Sequence, residues 1–271
     1  MKTRNFVLLL VGGLFLLTNC SEPANNELFH DDNVVALSSI KRASDSYIYP
    51  VRPGSPEWNN FENHEQMVEA CQIPKSVLNI MSTKGVIESI LENPLYGDFA
   101  AYNNYQEFYD RFSSTFNAYK TLESRADASS ELISKYCSME YQYSNLSDFS
   151  YWDGRGCVPG VAFLCMEILL AQDFCLEKAT NKEIKSLSLH LYDSYKLRGT
   201  DDNPRALFLE IGQFSAAWVA SRIMEKQQYG EWLVLKNGSD AVSNFLRTGM
   251  FCDERESIIE VFEHFIDENY E

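Results

Sequence analysis

Two stretches in the second half of the chain are apolar nearly all the way round a helix, and no other feature narrows the choice of fold as far. One opens at Pro159 and runs through Phe163, Leu164, Met166, Ile168, Leu169 and Phe174. The other spans roughly residues 204–226 and carries Leu207, Phe208, Leu209, Ile211, Phe214, Trp218, Val219 and Ile223. A helix without a polar face has to be covered on every side, so both belong at the centre of a bundle. Amphipathic helices around residues 181–197, 239–248 and 254–267 would wrap them.

The first half is helical too, in shorter pieces. Pro50, Pro53 and Pro56 keep the segment Ile48–Trp58 extended or turning, and Tyr49 and Trp58 are the side chains to pin it down. Asn63 can cap a helix that ends near Cys71; Pro74 opens another with Val77, Leu78 and Met81; Ser82 or Thr83 caps a third that Pro94 stops. Tyr105, Phe108, Tyr109, Phe112, Phe116 and Tyr119 then recur at helical spacing, which predicts one long amphipathic helix from Tyr102 to about Arg125. Another helix covers 130–142, and residues 143–157 break the pattern. No alternating run is long enough for a sheet. The expected fold is all-α: a multi-helix bundle, or a superhelical array of which a HEAT-like stack is one form, although no repeat of fixed period is visible.

The start of the chain is organised differently. Lys2 and Arg4 precede an apolar run, Phe6–Leu17, and then comes Leu17-Thr18-Asn19-Cys20, the order of regions found in a secretion signal. The run is about a dozen residues, short of the roughly 20 that a spanning helix needs. A cysteine closing such a run, with Leu three before it and Thr two before it, resembles the lipobox of bacterial lipoproteins, and the resemblance implies lipid attachment at Cys20. Asn19 departs from the small residue usual before that cysteine. Ser21 rather than Asp follows it, so nothing retains the protein at an inner membrane, and the expected place is the outer membrane, on either face. The domain reading is then a signal at 1–20, a flexible Asn-, Ser- and acid-rich tether at 21–46, and a single helical domain at 47–271.

Tyr49-Pro50-Val51 with Pro53-Gly54-Ser55-Pro56-Glu57-Trp58, then Gln72-Ile73-Pro74 and Met81-Ser82-Thr83, resemble a group of uncharacterised secreted proteins and lipoproteins of Bacteroidetes-type bacteria. The likeness covers about residues 47–125. It implies a helical envelope protein and carries no known activity or catalytic residues.

Charge removes two classes of partner. The chain has 39 acidic against 23 basic residues, and two of the bases lie in the signal. Nucleic acid and anionic headgroups would both repel such a chain, so the expected membrane contact is the lipid anchor alone. Apart from Cys20 the cysteines are Cys71, Cys137, Cys157, Cys165, Cys175 and Cys252, with no C-x-x-C pair. Cys137 and Cys157 flank the irregular stretch, and a bridge between them would stabilise by about 3 kcal/mol. The alternative is that the cysteines are buried thiols acting as small apolar residues.

No familiar catalytic signature appears. His30, His64, His190 and His264 form no i, i+4 pair, there is no H-E-x-x-H, and G-x-S-x-G, phosphate-binding and dinucleotide-binding glycine motifs are missing, so neither a metal nor a cofactor is expected. Two places could still carry function. Glu167 and Glu210 are each a lone acid in one of the apolar helices; facing each other, one would hold its proton and could serve as an acid or a metal ligand, although Leu170 and Gln213 three residues on rule out the Glu-x-x-His di-metal form. The alternative is that each reaches a helix edge or pairs with a base such as Arg205 or Arg222. The second place is the stretch with Tyr141, Tyr143, Phe149, Tyr151, Trp152, Asp153 and Arg155, whose aromatic faces and framed charges could line a groove for a sugar or a peptide. The same residues could instead cover a hydrophobic seam. The preferred expectation is a non-enzymatic envelope module that binds a protein or glycan through Tyr143, Tyr151, Trp152, Asp153 and Arg155; the alternative is an unfamiliar hydrolase acting on a glycan or peptide polymer.

Overall fold

The structure is a computed structural model that describes residues 45–139, 159–198, 206–250 and 252–270, with side chains from 163 and 213 onward in the two helices that begin at 159 and 206. Among these residues there are helices and no strands, so the fold is all-α. The first half holds α1 Pro56–Asn59, α2 His64–Ala70, α3 Lys75–Leu78, α4 Thr83–Leu91, a 3-10 turn at Tyr96–Ala101, α5 Tyr105–Thr115, α6 Asn117–Ser124 and α7 Ala128–Cys137. The second half holds α8 Pro159–Leu170, α9 Asp173–Leu176, α10 Asn181–Arg198, α11 Ala206–Lys226, α12 Gly230–Gly238, α13 Asp240–Thr248 and α14 Arg255–Tyr270.

The two apolar helices lie where their composition demands. Every residue from Phe163 to Leu170 is buried, and Ser215 to Ser221 are fully so. α11 is the hub: α8, α10 and α14 pack on it most extensively, and α12 and α13 pack on it as well. Contacts that radiate from one helix describe a bundle; the regular neighbour-to-neighbour pairing of a HEAT array is not confirmed.

Local rules explain most of the joints. Asn63, Ser82 and Asn104 each accept the backbone N–H three residues on and so cap α2, α4 and α5. The proline-rich entry is held as its aromatic residues require: the buried Tyr49 donates from its hydroxyl to the Ser89 carbonyl at 2.9 Å, and Trp58 packs half-buried on the core. Upstream of it, Asp45 accepts the Ser82 N–H at 2.6 Å and lies directly over Gly85, where a Cβ would come within 2.6 Å of its carboxylate.

The single helix expected from 102 to 125 is two. Phe116 is extended (φ −100°, ψ 126°) and separates α5 from α6. The cause is a pair of amides on facing turns. Asn117 accepts the Ile73 N–H at 3.2 Å and donates to the Ile73 carbonyl at 2.7 Å, while Gln72 donates to Thr115 O and accepts the Asn117 N–H. These bonds satisfy the backbone groups that the break exposes, so the break adds little penalty. The helix expected to continue to Phe174 also stops early. Gln172 is extended, with its amide donating to Ile168 O at 2.8 Å, and α9 begins after it. α12, which the sequence reading did not assign, is fixed by the fully buried Trp232, whose indole donates to Glu225 at 2.7 Å.

Candidate functional site

Among the described residues the bundle centre contains one fully buried acid. Glu167 sits on α8 among Cys165, Met166, Ile168 and Leu169, and its side chain is 0% exposed. An isolated carboxylate there would lose its hydration without compensation. The neighbouring helices supply the replacement. Arg198, from the last turn of α10 and also 0% exposed, straddles the carboxylate, with Nη2 2.6 Å from Oε1 and Nη1 3.0 Å from Oε2. The Tyr136 hydroxyl on α7 donates to Oε1 at 2.5 Å, and Ser215 on α11 donates to Oε2. Four helices are thereby tied to one side chain, through the planar fork that guanidinium makes with carboxylate.

Aromatic rings close the site. The Arg198 guanidinium lies 5.3 Å from the centre of the Phe163 ring, and Tyr136 meets Phe163 and His190 edge-on at 5.8 and 5.3 Å. Burial, with the Glu167 charge beside it, pushes the Tyr136 phenol well above its ordinary range, and Tyr105 is raised for the same two reasons. Burial also lowers the imidazole of His190, so the ring is favoured neutral. Each Glu167 oxygen accepts two hydrogen bonds, which leaves no lone pair directed at an incoming ligand. The arrangement stitches helices together.

Of the alternatives weighed for Glu167, pairing with a base is the one observed, and the base is Arg198. Arg222 instead donates from Nε to the Ala171 carbonyl at 3.0 Å, and Arg205 and the Glu210 side chain lie outside the described residues. Arg198 did leave a trace: it continues the α10 stripe of Ile184, Leu187 and Leu191 at helical spacing, and a base on an apolar stripe needs a buried acid. Cys20, Tyr143, Tyr151, Trp152, Asp153, Arg155 and Cys157 lie outside the described residues. Cys137 is described; it is half-buried, with Sγ 3.7 Å from Ser186 O. Cys71, Cys165, Cys175 and Cys252 are buried free thiols, and burial pushes the thiols of Cys71 and Cys175 up to about 12. Among the described residues no three His, Cys, Asp or Glu side chains are grouped to hold a metal ion, and no helix is long and apolar enough to cross a membrane.

A second feature is open to solvent. A shallow cleft of about 430 Å³ lies where α5 and α6 meet α9, α11 and α13. Its lining carries both charges. Asp110, Glu123 and Asp173 stand on α5, α6 and α9, and Arg222 and Arg247 on α11 and α13. Tyr109 and Phe174 contribute rings at 6.5 Å, nearly parallel at 16°. Several of the polar groups are already oriented. Gln106 donates to Asp110 at 2.8 Å, Tyr109 to Glu123 at 2.5 Å, and Arg247 to Asn244 at 2.8 Å. Sequence reasoning missed this cleft, because its lining comes from five helices and no two neighbouring letters announce it.

Fold and sites together define an all-α bundle with an ion-paired core and an open polar cleft. No protein-family model, no curated protein and no solved structure matches the chain.

Proposed function

We propose that this chain is an envelope lipoprotein, attached to the outer membrane through Cys20, whose helical domain binds a protein or glycan partner and catalyses no reaction. The observation that carries this reading is the condition of Glu167. Glu167, one of the two acids that the sequence singles out as a pair for chemistry, is sealed from solvent and saturated by Tyr136, Arg198 and Ser215. A general acid or base has to come within hydrogen-bond reach of the proton it moves, and no substrate reaches this carboxylate without opening the core. The lipobox-like Leu17–Cys20 and the resemblance over residues 47–125 supply the envelope part of the reading.

Two variants test it. Lipidated protein recovered from a gently solubilised native envelope should bring down a stoichiometric protein or glycan, and Tyr151→Ala with Trp152→Ala should lose it while keeping the fold. Recovery of the protein alone in every preparation contradicts the binding reading. Cys20→Ala should move the protein from the membrane fraction to the soluble fraction; unchanged membrane association contradicts the anchor.

A further inference from the structure

We infer that the cleft between α5, α6, α9, α11 and α13 binds a short zwitterionic peptide, with the free carboxylate held by Arg222 and Arg247 and the free ammonium by Asp110 and Glu123. The inference rests on the reading of the domain as a binding module and assigns that module a small ligand. Size, charge and preorganisation agree on the class. About 430 Å³ lies in the range of small-molecule sites and accommodates a ligand of two or three amino-acid residues. A cleft lined by both guanidinium groups and carboxylates favours a ligand that carries both charges over one that carries either alone.

Arg222 is the better prepared of the two bases. Its Nε is fixed on the Ala171 carbonyl at 3.0 Å, which sets the plane of the guanidinium. Its Nη2 meets Asp173 only at 3.7 Å, and the Asp173 side chain is 76% exposed, so that loose pair opens readily to a ligand carboxylate. Arg247 is exposed and oriented by Asn244. In the same cleft, Asp110 is positioned by Gln106, and Phe174, half-buried beside Tyr109, offers a ring face to a ligand side chain.

The experiment is calorimetric titration of the full mature chain with L-alanyl-L-phenylalanine, its N-acetylated form and its C-terminal amide. The free dipeptide should bind saturably. Each blocked form, and the variants Arg247→Gln and Arg222→Gln, should bind at least about tenfold more weakly, the scale expected for one lost charge-assisted hydrogen bond. Arg247 is exposed at the end of α13, so Arg247→Gln remains informative even if Arg222→Gln fails to fold. Absent or non-saturable binding by the parent chain overturns the inference, as do equal affinities for free and blocked dipeptides or an undiminished Arg247→Gln. An envelope partner captured equally by the parent and by Arg247→Gln, with no dipeptide binding, removes the cleft and leaves the binding-module reading standing.

Discussion

Arg198 is the residue whose removal should be felt most. Arg198→Met leaves the Glu167 charge buried without its partner, and the expected loss is about 3–5 kcal/mol. Replacing all four members with apolar counterparts, as Tyr136→Phe, Glu167→Leu, Arg198→Met and Ser215→Ala together, removes the buried charge along with its partners and should recover most of that loss. Urea unfolding checks both, and a quadruple variant no more stable than the single one would contradict the pairing. His190 adds a pH dependence of definite sign. Its folded pKa lies below the ordinary 6.5 because of burial, so the unfolded chain takes up a proton first on acidification. Its contribution to stability is complete above about pH 6.5 and is lost as pH falls from there through the folded pKa. His190→Phe should flatten that limb of the stability curve; an unchanged limb would assign it to other groups. At this scale the sequence showed that Glu167 needed a partner but not which one, since Tyr136, Arg198 and Ser215 each lie 31 or more positions away.

At the scale of elements, capping residues carried most of the legible information. Asn63, Ser82 and the proline-rich entry behave as their local chemistry dictates, because a cap is decided within four residues. The break at Phe116 was illegible for the opposite reason: the groups that make it favourable, Gln72 and Ile73, are 43 to 45 positions from their partners. Asn117→Ala removes both side-chain bonds to Ile73 and strands its backbone groups, so a loss of about 1–3 kcal/mol is expected in thermal or urea unfolding. A neutral result would mean that Gln72 alone suffices. Gly249, at the end of α13, is constrained twice. Its φ of +65° is left-handed, and a Cβ there would meet the Trp218 and Tyr105 rings at 2.8 Å. Gly249→Ala should therefore destabilise by about 1–3 kcal/mol or more.

At the scale of the whole molecule, two apolar helices at the centre of an all-α bundle could be read directly from composition, since a helix without a polar face has one destination. The cleft could not, because helix positions in space and not letters in order bring Asp110, Arg222 and Arg247 to one opening. Core and cleft are assigned separate roles in the proposal: Glu167 ties four helices together, and recognition is placed at the surface. The measurement that tests this division most directly is envelope capture with the lipidated protein carrying the quadruple apolar core, beside the parent chain. The account predicts a native fold and the same partner at the same stoichiometry. A folded quadruple variant that has lost a partner the parent retains would show that the buried carboxylate takes part in function, and would contradict the account.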